Sequence, residues 1–163
     1  MRTAIVFYSM SGNSEYVAKE IAKNIDADII RIEPKKAYPN SGAKKFFWGG
    51  KSAVMGEAPE LNPYEFDASK YDKVILGFPV WASTFAPPIR TFVKENFEVL
   101  KDKKVFAFAC QGGAGAEKAF LKLSKLLVSR PLDGTLILCD PKDREKPEDI
   151  ELIKGFCDGM SGR

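Results

Sequence analysis

The chain has 163 residues, enough for one domain at roughly 100–200 residues each and too few for two. Hydrophobic residues at 45%, charged residues at 29% and a formal net charge of +3 describe an ordinary globular composition and argue against the strongly basic face of a nucleic-acid binder. There is no histidine, which removes histidine bases and histidine metal ligands, and Cys110, Cys139 and Cys157 are too few and too dispersed for a zinc site or a CxxC redox pair.

The first element is Ala4–Tyr8, a continuous apolar run of the kind found in a strand buried on both faces. Ser9–Asn13 stops that run too early for a signal peptide, and no stretch of about 20 apolar residues follows that would span a membrane. With an odd number of cysteines, which fits a reducing compartment, the expected location is the cytoplasm. Val17, Ile21 and Ile25, with Ala18 and Ala22 beside them, form the inner stripe of a helix. Ile29–Ile32 reads as a second strand, ended by Pro34. Residues 35–69 are too long for a bare loop in a compact domain and predict one helix around Lys44 to Val54.

Lys73–Phe78 is the third strand, and Pro87 and Pro88 then mark a helix start with Ile89, Phe92, Val93 and Phe97 as its buried face. Val105–Cys110 is the fourth strand, followed by a helix carrying Ala119, Phe120, Leu123, Leu126 and Leu127 inward. Thr135–Leu138 is the fifth, before a last helix from about Pro147 with Ile150, Ile153 and Cys157 on its inner side. Alternating strands and helices predict a single α/β domain over residues 1–163, a five-stranded parallel sheet covered by helices on both faces.

Ligands of such sheets bind beyond the C-terminal ends of the strands. The first strand runs into Ser9-Met10-Ser11-Gly12-Asn13-Ser14, where hydroxyls, a glycine and an asparagine surround a helix N-terminus. Free N–H groups and a partial positive charge at that point suit an anion, and Gly12 lets the backbone approach it. Helix capping is the plainer explanation, but one cap needs one such residue, and the density of hydroxyls favours a phosphate cradle built without Lys or Arg. A triphosphatase loop is absent. Gly113–Lys118 starts like a dinucleotide fingerprint, but Lys118 stands where the third glycine belongs.

The third strand enters Gly77-Phe78-Pro79-Val80-Trp81-Ala82-Ser83-Thr84-Phe85. Trp81 is either loop packing or a platform for a flat ring, and its position beside the cradle favours the platform. After the fourth strand, Cys110-Gln111-Gly112-Gly113-Ala114-Gly115 is either a flexible turn or a place of close backbone approach.

Taken together, these three turns resemble those of the flavodoxin-like FMN proteins, particularly the branch with a Gly-x-Pro-x-Trp turn after the third strand. The resemblance runs from Ile5 to about Gly159. It implies the strand order 2-1-3-4-5 with FMN at the switch point, flavodoxin being the standard example of that arrangement. It further implies a cofactor site made of Ser9, Met10, Ser11, Gly12, Asn13 and Ser14 at the phosphate, Pro79, Val80, Trp81, Ala82, Ser83 and Thr84 along the ring, and Cys110, Gln111, Gly112, Gly113 and Gly115 on its far side. No acid or base catalyst is named, and Cys110 reads as a small apolar residue ending a buried strand.

Two departures from electron-carrier flavodoxins stand out: the chain is slightly basic where carriers are acidic, and the turn after the fourth strand lacks an aromatic residue. The function implied is electron transfer through bound flavin, the alternative being a small NAD(P)H-dependent flavin or quinone oxidoreductase. Its partner is accordingly a redox protein or a nicotinamide cofactor, with no nucleic acid and no membrane. Lys35, Lys36, Lys44, Lys45 and Lys51 read as a solvated face or as a dock for an acidic partner or a dinucleotide phosphate. Phe46, Phe47 and Trp48 read most simply as the buried side of the extra helix, the alternatives being a cover for the flavin or a homodimer interface. Finally, Phe78–Phe85 holds neither Gly nor Asn, Pro79 fixes a negative φ, and Val80 and Thr84 are β-branched. Positive φ is therefore not expected there, nor the flipped peptide that stabilises half-reduced flavin, and a mainly two-electron carrier is expected.

Overall fold

The computed structural model describes residues 2–39 and 42–162, with side chains described for all of them except 42–47. The elements in chain order are β1 (Thr3–Phe7), α1 (Asn13–Asn24), β2 (Ala27–Arg31), α2 (Gly42–Val54), β3 (Lys73–Trp81), β4 (Thr84–Phe85), α3 (Pro87–Glu95), α4 (Phe97–Leu100), β5 (Lys104–Gln111), α5 (Ala116–Leu126), β6 (Gly134–Cys139) and α6 (Pro147–Met160). The parallel strands lie in the order β2-β1-β3-β5-β6, as the resemblance implies, and the short β4 folds back antiparallel on the end of β3.

Side-chain alternation along the central strands divides the core in two. Ala4, Val6 and Tyr8 face the side covered by α3 and α5, where they join Leu76, Phe78, Ile89, Phe92 and Phe120. Ile5 and Phe7 face the other side with Ile75 and Phe108, under Val17 and Ile21 of α1 and Ile153 and Cys157 of α6. Burial on both faces is why these strands are apolar without interruption. Gly77 pairs with Phe108 across the β3–β5 ladder, and a Cβ at Gly77 would lie 2.0 Å from the Phe108 ring. The glycine that opens the Gly-x-Pro-x-Trp turn is thus required by core packing.

Helix α6 buries Ile153 and Cys157 as expected and departs from expectation at Ile150, which is 47% exposed. Asp149 and Met160 complete the buried face, and Ile150 lies at its edge. Lys73, at the other end of the sheet, is buried and its ammonium donates to the Met160 carbonyl at the C-terminus of α6, a placement the helix dipole favours.

The helix expected near Lys44 to Val54 is α2. Phe46 and Phe47 lie outside the described side chains. Trp48 does not belong to its buried side: it is 46% exposed, while Ser52 and Ala53 are buried. Around α2 the chain is tied down by the Pro34–Leu61 bridge, and Lys35 forms a solvent-exposed ion pair with Glu60. No helix among the described residues is long and apolar enough to cross a membrane.

Candidate functional site

A cleft of about 400 Å³ opens beyond the C-terminal ends of β1, β3 and β5. Its walls include Ser9, Met10, Ser11, Asn13 and Ser14 from the first turn, Pro79, Val80, Trp81 and Ala82 from the second, and Cys110, Gln111 and Gly112 from the third. Three segments distant in sequence thus meet at the strand switch point, where β1 leads outward to β2 and β3 to β5. Gly12, Ser83, Thr84, Gly113 and Gly115, also expected at the site, do not line the cleft, whereas Gly50 of α2 and Asp140 and Asp143 after β6 do.

The first turn is wound so that its hydroxyls leave the start of α1 uncapped. Gly12 takes φ 96° as the N-cap, a left-handed conformation that explains the glycine, and no side chain caps the helix there. The Gly12 N–H donates to Ser9 Oγ (3.2 Å), and Arg31 donates to the Ser9 carbonyl (3.2 Å). Asn13 accepts from the Lys142 backbone N–H at Oδ1 (2.9 Å), and its Nδ2 donates to Ser11 Oγ (3.4 Å) and to an Asp143 carboxylate oxygen (3.5 Å). Among the described residues, nothing accepts from the N–H groups of Asn13, Ser14 or Glu15. Ser14 is 1% exposed, and its Oγ has no nitrogen or oxygen partner; only the Cys110 thiol, a weak hydrogen-bonding group, lies beside it.

Buried polar atoms are paired in the great majority of cases, so the exception at Ser14 has a meaning. A ligand oxygen at the head of α1 would satisfy both the hydroxyl and the N–H groups, and a phosphate offers several such oxygens in one small group. The residues present therefore fit a phosphate, and helix capping does not account for them. Beside Ser14, burial pushes the Cys110 thiol up to about 12, an effect the Ser14 contact partly offsets. A thiol so placed stays protonated and unreactive near neutral pH.

Trp81 ends β3 and stands edge-on to two tyrosines, Tyr8 (5.7 Å, 87°) and Tyr38 (5.2 Å, 87°). These T-shaped contacts hold the indole at a fixed angle. Burial raises the pKa of both phenols above the ordinary tyrosine value, so they remain neutral hydroxyls. Gly49 lies against the indole: a Cβ there would come within 3.1 Å of the ring. A glycine pair inside a helix is unfavourable by about 1 kcal/mol per residue relative to alanine, and the close approach to Trp81 explains Gly49.

The turn after Trp81 corrects a sequence expectation. Ala82 (φ 49°) and Ser83 (φ 57°) both adopt positive φ, forming the two-residue hairpin between β3 and β4. A connection of that length follows the right-handed strand twist best with left-handed central residues, even where neither is Gly or Asn. The argument for a mainly two-electron carrier, which rested on positive φ being avoided here, falls with it.

Behind the hairpin, Ser83 packs on Gly115 (φ 107°), where a Cβ would lie 2.8 Å from Ser83 Oγ. Thr84 is buried: its hydroxyl donates to the Ala82 carbonyl (3.2 Å) and accepts from Lys122 (2.7 Å). Gln111 turns its side chain to α5, accepting the Ala116 N–H (3.0 Å). Ser83, Thr84 and Gly115 thus shape the wall from outside.

The residues missed by sequence reasoning come from charged or irregular stretches. Asp140 and Asp143 sit in a charged turn without periodicity, and Gly50 comes from a helix whose neighbours suggest only a basic face. The one available signal was that the last parallel strand also ends at this edge of the sheet. Among the described residues, no group of three or more carboxylates and cysteines could hold a metal ion.

Comparison with known proteins bears on the whole chain. Residues 2–141 match the family model described as Flavodoxin. Among solved structures, a flavoprotein from Lactobacillus acidophilus NCFM in complex with FMN aligns with a TM-score of 0.73 at 20% identity, covering 87% of this chain and 95% of that one. A flavoprotein candidate from Bacteroides eggerthii DSM 20697 gives 0.77 at 20% identity and 98% of both chains. Two-electron reduced flavodoxin from Megasphaera elsdenii gives 0.56 at 22% identity, covering 96% of this chain and 98% of that one. At these identities the structural likeness is one of fold. No curated protein sequence matches the chain.

Proposed function

Because the chain belongs to the flavodoxin family, we propose that it carries electrons on bound FMN between redox partner proteins. The observation that carries this reading is the uncapped start of α1 with the buried Ser14 hydroxyl, which lacks a nitrogen or oxygen partner, set at one end of a cleft that Trp81 lines. The neighbour from Lactobacillus acidophilus, which holds FMN, supports the choice of cofactor.

In this reading the N–H groups of Asn13, Ser14 and Glu15, with the Ser11 and Ser14 hydroxyls, hold the phosphate. Gly12, with no side chain of its own, leaves that space to the Lys142 side chain. Asn13 anchors the turn after β6 to the cradle through its carboxamide. Trp81 stacks on one side of the ring, and the backbone of Pro79–Ala82 and Cys110–Gly112 borders its polar edge. FMN supplies the redox chemistry when bound; the protein supplies binding, orientation and electrostatics. No side chain is assigned as acid or base, and the Cys110 thiol plays no redox part.

The test separates a carrier from an NAD(P)H-dependent oxidoreductase. Under anaerobic conditions, the flavin-loaded protein should stay oxidised with excess NADH or NADPH and become reduced once a flavodoxin reductase is added. Rapid reduction by either nicotinamide alone would overturn the carrier reading.

A further inference from the structure

We propose that Lys142, from the turn after β6, supplies the cation that pairs with the flavin phosphate at the head of α1. The proposal rests on the FMN reading above and goes beyond the hydroxyl-and-backbone cradle legible in the sequence.

The Lys142 side chain lies across Gly12. A Cβ built on Gly12 would meet Lys142 Nζ at 2.8 Å, Cδ at 3.3 Å and Cε at 3.5 Å. This placement is held from the backbone: the Lys142 N–H donates to Asn13 Oδ1 (2.9 Å), and Asn13 is itself buried at the first position of α1. The ammonium therefore stands at the positive end of the helix dipole, beside N–H groups that already favour an anion. A cation there is disfavoured unless negative charge lies between it and the helix.

The surrounding charges are otherwise engaged. Among the described residues, no carboxylate forms an ion pair with Lys142, although Asp140 and Asp143 line the same cleft. Asp140 pairs with Arg144 (3.8 Å), and Asp143 accepts from Asn13. Arg31, the other cation near the cradle, is bound to Glu15 (2.7 Å) and to Glu33. A phosphate dianion entering the cradle meets two carboxylates at the rim, and among the described residues Lys142 is an unpaired cation in position to offset them. Ser14 Oγ, without a nitrogen or oxygen partner, independently marks the same point as the place of the anion.

The test compares wild type, Lys142→Met and Lys142→Arg for binding of FMN and riboflavin at low and high salt, followed by flavin fluorescence. Lys142→Met should weaken FMN about tenfold, as expected for a charge-assisted contact at a partly open site, and flatten the salt dependence of FMN binding. Riboflavin affinity should stay unchanged, and Lys142→Arg should keep most of the FMN affinity. Unchanged FMN affinity and salt dependence in Lys142→Met would overturn the proposal, as would an equal loss for both flavins, which would make Lys142 a structural residue. If wild type does not prefer FMN to riboflavin, the phosphate cradle itself fails and Lys142 with it, a result distinct from either of these.

Discussion

Replacing Ser14 by alanine should move stability and cofactor affinity in opposite directions. Without ligand, Ser14 Oγ is buried with no partner better than the weakly bonding Cys110 thiol, and burying a hydroxyl without a good partner costs about 1–3 kcal/mol. Alanine removes that penalty at the expense of a void the size of one oxygen, so a net gain of about 1 kcal/mol is expected. For a chain of this size that corresponds to a rise in Tm of about 2–4 °C for the apoprotein. With FMN the sign reverses, because a hydrogen bond to a charged phosphate is worth about 1.5–3 kcal/mol, or roughly a 10- to 150-fold weaker Kd when it is lost. Riboflavin, which has no phosphate, should bind almost as it does to wild type. The assay is a pair of thermal melts on flavin-free protein and a pair of fluorescence titrations with the two flavins. A lower apoprotein Tm with unchanged FMN affinity would refute the reasoning and make Ser14 a structural partner of Cys110.

Three other perturbations follow from the site. Trp81→Ala should raise the emission of bound flavin and weaken FMN severalfold, since a stacked aromatic pair is worth about 0.5–1.5 kcal/mol beyond its area; unchanged emission would place the ring elsewhere. Ala82→Gly should stabilise the apoprotein by about 0.5–1 kcal/mol, because Ala82 sits at φ 49° where alanine is strained; a lower urea midpoint would contradict this. Cys110, held protonated up to about 12 by burial, should resist a thiol reagent at pH 8 in folded protein and react once urea unfolds it. The same group should make stability fall as pH rises: the unfolded thiol ionises from about pH 8.5 while the folded one does not, so its contribution is complete below that pH and is lost toward pH 12. Stability that is flat in pH across this window would contradict it.

The strands were legible because they are apolar on both faces, and Ile5, Ile75 and Phe108 could scarcely have gone elsewhere, whereas their order followed only from the family resemblance. The lining of the cleft by Ser9, Ser11 and Ser14 was legible because Ser9–Ser14 is too rich in hydroxyls for a cap. What escaped notice had no local signature. The β3–β4 hairpin places Ala82 and Ser83 in conformations that sequence assigns to Gly and Asn, and pairing of Val80 with Phe85 outweighs that preference. In α6, Ile153 and Cys157 were legible as inward-facing, but with Met160 they centre the buried face so that Asp149 falls within it and Ile150 at its exposed edge. Asp140, Lys142 and Asp143 carry no local pattern, and only the fold brings Lys142 and Asp143 against Asn13 and Asp140 to the cleft. Gly50 enters the cleft only because α2 packs its glycine pair toward Trp81 and Ala82.

The most direct test of the central claim is the ratio of FMN to riboflavin affinity for the flavin-free protein, measured by titration calorimetry in one buffer. A site whose Ser14 hydroxyl and α1 N–H groups await a phosphate should bind FMN at least tenfold more tightly than riboflavin, the difference expected from even one hydrogen bond to a charged group. Equal affinities would show that the head of α1 does not hold a phosphate and would contradict the account.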